Sequence, residues 1–137
     1  MRKIIKNTAI IEDQWTLLDA DVELNVALNT QQAIVPLALW QAHKEQLKAI
    51  NPIGVWLEAE QEIESLLDDL ELFTVIALNF PVFTDGRHFS SARLLRERYA
   101  YSGEIRAIGD VLRDQLFFMQ RCGFDAYALR SDRCPID

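Results

Sequence analysis

Apolar positions change their period along this chain, and the change predicts alternating strands and helices. Ile53-Gly54-Val55-Trp56-Leu57 is a short, continuous apolar run closed by turn residues, the pattern of a buried strand. Glu60–Leu70 then places Ile63, Leu66, Leu67 and Leu70 at helical spacing. Phe73–Phe80 (FTVIALNF) is almost unbroken in β-branched and large apolar residues, as expected of a strand covered on both faces. A helix over Ser90–Arg98, a strand over Glu104–Ile108, a helix over Asp110–Cys122 and a strand over Asp125–Leu129 follow in order. Strand–helix repeats with short connections predict an α/β domain with a mainly parallel sheet and right-handed crossovers.

Residues 1–35 read differently from the strand–helix repeats of 36–137, although the length predicts a single domain over 1–137. Arg2–Lys6 and Gln14–Leu18 are short β-prone runs that suggest an N-terminal hairpin or antiparallel edge. Asp19–Thr30 is polar and carries no clear period. Trp40, His43, Leu47 and Ile50 share a helical face that Asn51-Pro52 terminates. His43 reads as a core-edge residue of that stripe, because no second ligand stands at metal spacing. The acidic residues Glu60, Glu64, Asp68 and Asp69 read as the solvated face of their helix, with a basic partner as the sharper alternative.

Charge sharpens this picture. The formal net charge is −7, yet residues 1–86 hold five Lys/Arg against fourteen acids, and residues 87–137 hold nine Arg against seven acids. Every Lys lies in the first part and every Arg except Arg2 in the second. Guanidinium forks suit carboxylates, phosphates and sulfur oxyanions, so the Arg excess marks either internal pairs to Glu97, Glu104, Asp110 and Asp114 or an anion site. Overall acidity argues against nonspecific nucleic-acid binding. No apolar run approaches the ~20 residues of a membrane span, and only two apolar residues follow Met1-Arg2-Lys3, so the expectation is a cytoplasmic protein without a membrane partner. Cys122 and Cys134 are two reduced thiols on this reading, Cys122 acting as a small hydrophobe. A parallel unit ending on a strand suggests that the natural chain continues past Asp137.

Two turns concentrate the candidate chemistry. In Thr84-Asp85-Gly86-Arg87, Gly86 is expected at positive φ and Ser90 as the N-cap of the next helix, so that amides, helix dipole and Arg87 meet near an anion. In the second turn, Gly109 permits the tight strand-to-helix passage, Asp110 is the expected N-cap, and Arg106 and Arg113 flank it. Arg106 either faces the same crevice as Arg87 or closes the loop by pairing with Asp85 or Asp110. The candidate ligand site is therefore Asp85, Gly86, Arg87, Ser90, Arg106, Gly109, Asp110 and Arg113. On the following helix Gln115 and Phe118 fall on the apolar face. Phe117 falls among charges and, with Tyr99 and Tyr101, forms a candidate partner surface. His88 has the protonation range of a general acid or base, but no reaction signature, metal spacing or cofactor fingerprint accompanies it. Neither a metal nor a particular cofactor is indicated.

The stretch FPVFTDGRHFSSARLLRERYAYSGEIRAIGDVLRDQLFFMQRCGFDAYAL closely resembles a small bacterial family of unknown function, described as a probable oxidoreductase of sulfite reduction. The likeness is dense over Phe80–Leu129 and traceable over Pro36–Leu57; His88 departs from it, since the family pattern has Gly there. The resemblance implies an accessory role in assimilatory sulfite reduction, with a sulfite reductase component as partner and a sulfur oxyanion or a sulfated or phosphorylated compound as small anionic ligand. It implies no established catalytic residue. The alternative is a noncatalytic module that docks on a reductase.

Overall fold

Among the described residues, eight strands form one sheet in the order β2-β1-β8-β7-β6-β5-β4-β3. The computed structural model describes residues 3–7, 9–82, 86–111 and 115–128. The strands are β1 (Lys3–Lys6), β2 (Ala9–Glu12), β3 (Thr16–Leu17), β4 (Ala33–Pro36), β5 (Ile53–Leu57), β6 (Phe73–Phe80), β7 (Glu104–Gly109) and β8 (Ala126–Tyr127). From β3 to β8 every neighbouring pair is parallel; β1 adds antiparallel to β8 and to β2. The mainly parallel α/β fold is as the sequence predicts. The N-terminal hairpin exists, but its strands are β1 and β2, and the Gln14–Leu18 run instead pairs parallel at the opposite edge. The helices are α1 (Leu24–Leu28), α2 (Leu37–Ala42), α3 (Lys44–Leu47), α4 (Arg87–Glu97) and α5 (Leu116–Cys122), with a 3₁₀ helix over Ile63–Leu72.

Strand order from β3 to β8 advances without reversing. Right-handed crossovers along such a series put every connecting helix on the same face. The core confirms the placement: Trp40 of α2, Leu47 of α3, Leu66 of the 3₁₀ helix, Leu95 of α4 and Met119 of α5 pack with Val55, Ile76, Leu78 and Ile105. The alternate strand positions, Ile34, Trp56, Val75, Ala77 and Ile108, form a second cluster on the opposite face, covered in part by Trp15. The sheet is thus covered on both faces, with helices on one and N-terminal chain on the other. No strand-order reversal occurs in the parallel series, so the crevice that such a reversal opens is absent there.

Two departures have local causes. The amphipathic stretch after β4 breaks at His43 (φ −132°, ψ 36°), dividing it into α2 and α3. Asp69 is buried rather than solvated, because the Trp40 indole N–H donates to its carboxylate at 3.3 Å and Lys44 pairs with it at 2.8 Å.

Buried phenols tie both ends of the core. Tyr101 donates to Phe73 O and Tyr127 to Phe124 O, each at 2.9 Å. Burial pushes both upward, Tyr127 to about 12 and Tyr101 further. An unfolded tyrosine ionises near pH ~10, so above that pH the unfolded chain releases protons that the folded chain keeps. Stability is expected to be level below that pH and to fall as pH rises through the folded value. Urea midpoints between pH 8 and 11.5 check this, and phenylalanine at both positions should flatten the decline.

Candidate functional site

The first turn follows the C-terminal end of β6. Asp85 lies outside the described residues. Gly86 has φ −102°, an ordinary conformation, so the expected positive φ is corrected. Helix α4 starts at Arg87 with Gly86 in the cap position, which places Ser90 inside the first turn instead of at the cap. Arg87 and Ser90 are exposed and line a shallow depression of about 290 Å³ with Glu60, Glu62 and Glu64. His88 is only 1% exposed. Its Nε2 contacts the Glu58 carbonyl at 2.8 Å, and that oxygen only accepts, so Nε2 carries the proton. Its Nδ1 stands 3.1 Å from Ser91 Oγ. These contacts pin α4 to the end of β5.

The second turn does contain the special glycine. Gly109 has φ +88° and faces Phe80 across the parallel ladder. Asp110 N–H donates to Phe80 O at 2.7 Å, and Val111 N–H to Gly109 O at 3.0 Å. Asp110 is not the cap of α5, whose cap position is Gln115. Arg113 lies outside the described residues.

Arg106 is the most constrained of the candidates. Its side chain is 3% exposed and donates from Nε to Glu104 at 2.8 Å and from Nη1 to both Asp13 oxygens at 2.9 and 3.1 Å. Lys6 closes the series on Glu104 at 2.9 Å. The carboxylates that hold Arg106 are therefore Asp13 and Glu104, in place of the expected Asp85 or Asp110. Glu104, Arg106 and Ile108 alternate onto the helix-free face, as period two dictates. There Arg106 and Gly109 line a cleft with Asp13, Asp19, Trp56, Glu58 and Asn79. The depressions beside Arg87 and Arg106 share no lining residue.

Other arginines are structural as well. Arg96 donates to the carbonyls of Tyr101, Gly103 and Gly123 at 2.8, 2.7 and 3.0 Å, tying the loop before β7 to the turn after α5. Arg93 and Glu97 form an exposed pair at 3.6 Å, the kind worth little. Glu104 is not among the expected partners of Arg106, although its place two residues away on one strand is a local signal that points to it. Asp13 is 93 positions away and leaves no local signal.

The partner surface also differs from expectation. Phe117 is 67% exposed, with the Arg121 guanidinium 4.6 Å from its ring centre. Phe118, expected on the apolar face, is 52% exposed and lies edge-on to Phe89 at 4.9 Å. Met119 and Cys122 carry the buried side of α5, and Gln115 is half-buried just ahead of it. Tyr99 is half-buried against the core and lines a separate depression with Leu70, Glu71 and Tyr101. Among the described residues no cluster of His, Cys, Asp or Glu is placed to hold a metal ion, and no helix is long and apolar enough to cross a membrane.

A family model described as a bacterial protein of unknown function (DUF934) matches residues 54–136. No curated protein and no solved structure matches the chain.

Proposed function

The chain belongs to the DUF934 family of bacterial proteins of unknown function, and on that premise we propose that it is a noncatalytic accessory protein of assimilatory sulfite reduction. It docks on a reductase component through the aromatic surface of α5. The pathway rests on the resemblance of Phe80–Leu129. The docking mode rests on one observation: Phe117 and Phe118 are consecutive and both more than half exposed, with Arg121 beside one ring and Phe89 beside the other. A single exposed aromatic is ordinary, but adjacent aromatics with arginine have the composition of an interface centre. Arg93, Arg98 and Arg121 are exposed. The matching partner surface is an apolar pocket rimmed by carboxylates.

Oxyanion binding at Arg87 and Arg106 is the less supported reading. Arg106 already forks onto two carboxylates, and the depression beside Arg87 carries three glutamates. An oxidoreductase reading requires a cofactor that no motif of the chain names.

The test is titration of purified sulfite reductase from the same bacterium into the protein. Phe117→Ala is expected to weaken binding about thirtyfold, the effect of an interface hot spot, while Arg87→Ala leaves it unchanged. No binding by the parent protein, or equal binding by Phe117→Ala, refutes the docking mode.

A further inference from the structure

The helix-free face of the sheet carries a cleft that the docking surface does not use. Asp13 reaches across to Arg106, Trp15 packs on the second cluster, and the Trp56 indole N–H donates to Leu18 O at 2.9 Å. The N-terminal segment therefore lies over one end of the strands and leaves a cleft of about 380 Å³. That is within the range of small-molecule sites, about 300–1,000 Å³. Glu58, Asn79, Gly109 and Ala128 stand at the C-terminal ends of β5, β6, β7 and β8 and line it.

The lining also restricts the chemistry. Its wall is apolar at Leu17, Ile34, Trp56 and Ile108. Arg106 and Asp13 neutralise one another in the floor, and Glu104 takes the Arg106 Nε as well. The carboxylates of Asp19 and Glu58 also line the cleft, and among the described residues no cation pairs with either. Asn79 Nδ2 donates to Glu58 Oε1 at 3.0 Å, which holds that carboxylate in place. An anion entering here meets two negative charges and a guanidinium that two carboxylates already bind. A cation meets the held Glu58 carboxylate, the exposed Asp19 carboxylate and an indole, all of which attract it.

We propose that this cleft binds a small organic cation: an amine whose apolar body covers Trp56 and Ile108 and whose ammonium is held by Glu58 and Asp19. This site stands apart from α5, so its occupancy is independent of docking.

Benzylamine, benzyl alcohol and benzoate form a probe series of nearly constant shape and changing charge. Titration of each into the full chain at pH 7, followed through the indole N–H resonances in ¹⁵N–¹H spectra, reads the site directly. Saturable benzylamine binding that moves the Trp56 resonance but not that of Trp40 is expected, at least about tenfold tighter than benzoate. Glu58→Gln keeps the acceptor for Asn79 and removes the charge; it should weaken benzylamine about tenfold, with Asp19→Asn acting in the same direction. Asp19 is exposed, so its variant tests the charge without disturbing the core. Benzoate binding as tightly as benzylamine, no saturable binding of benzylamine, or unchanged affinity in both variants overturns the proposal.

Discussion

Asp13→Ala is expected to destabilise the protein by about 3–5 kcal/mol, the cost of leaving a buried charge without its partner. Asp13 and Arg106 are 8% and 3% exposed at their side chains, and Glu104 is 6% exposed. Charges alternate along the series Asp13, Arg106, Glu104 and Lys6, so the intact network is neutral. Removing Asp13 leaves a surplus positive charge beneath the N-terminal segment, where water reaches it poorly. Asp13 Oδ1 also accepts the Trp15 N–H at 3.0 Å, which fixes the turn carrying the chain over the sheet. Asp13→Asn separates these roles, since it retains an acceptor for Trp15 and loses only the charge. It should recover a minor part of the loss. Urea denaturation at pH 7 should show a lowered midpoint for Asp13→Ala with an unchanged slope. Asp13→Leu combined with Arg106→Met should cost less than the sum of the two single changes, because neither charge is then stranded. A loss below about 1 kcal/mol, the range of an exposed pair, would contradict this account of the network.

The parts of the fold that were legible are those whose signal is local. Phe73–Phe80 is observed over the residues that its unbroken apolar run predicts. Ile53–Leu57 follows for the same reason, and β7 extends the predicted Glu104–Ile108 by one residue, to Gly109. The N-terminal strands have only two to four residues, too short for a period to emerge. Their placement depends on partners far along the chain: Ile5 opposite Tyr127, and Thr16 opposite Ala33. Local composition does not specify such pairings, and here they place two similar β-prone runs at opposite edges. Strand order is non-local too, so the crowding of all connecting helices onto one face became evident only in three dimensions.

The site divides along the same line. That the Arg excess serves internal pairing is correct for Arg96 and Arg106, and the Glu104 partner follows from strand alternation. The second Arg106 partner comes from the segment read as an edge hairpin. The spacing puts Phe118 on the broad apolar face of a helix over Asp110–Cys122, whereas α5 spans only Leu116–Cys122. A helix of seven residues has a narrow buried side, and Met119 and Cys122 occupy it. Phe118 is therefore left exposed beside Phe117, and the candidate partner surface is larger than a single exposed ring.

Gly109→Ala is expected to cost about 3 kcal/mol, while Gly86→Ala should be neutral or slightly stabilising. Both glycines stand in the turns that the sequence marks as special, yet only one is required by geometry. Gly109 has φ +88°, where any side chain strains the backbone by about 1–2 kcal/mol. A Cβ there would also stand 2.3 Å from Asn79 Oδ1 and 2.5 Å from Phe80 O. Neither neighbour can yield cheaply. Phe80 O accepts the Asp110 N–H at 2.7 Å, and Asn79 holds Glu58 at 3.0 Å. Overpacking of this kind adds about 1–3 kcal/mol. At Gly86, by contrast, φ is −102° and the nearest atom to a new Cβ is Phe89 Cδ2 at 3.6 Å. Alanine fits there and narrows the unfolded ensemble, worth about 0.4–1 kcal/mol. Parallel urea titrations of the two variants should move the midpoint far down for Gly109→Ala and not at all, or upward, for Gly86→Ala. Equal losses at both positions would mean that the β7 turn is not the rigid one. Because Asn79 and Glu58 also line the cleft on the helix-free face, Gly109→Ala should lower benzylamine affinity even where the variant remains folded. Gly86→Ala should leave that affinity unchanged.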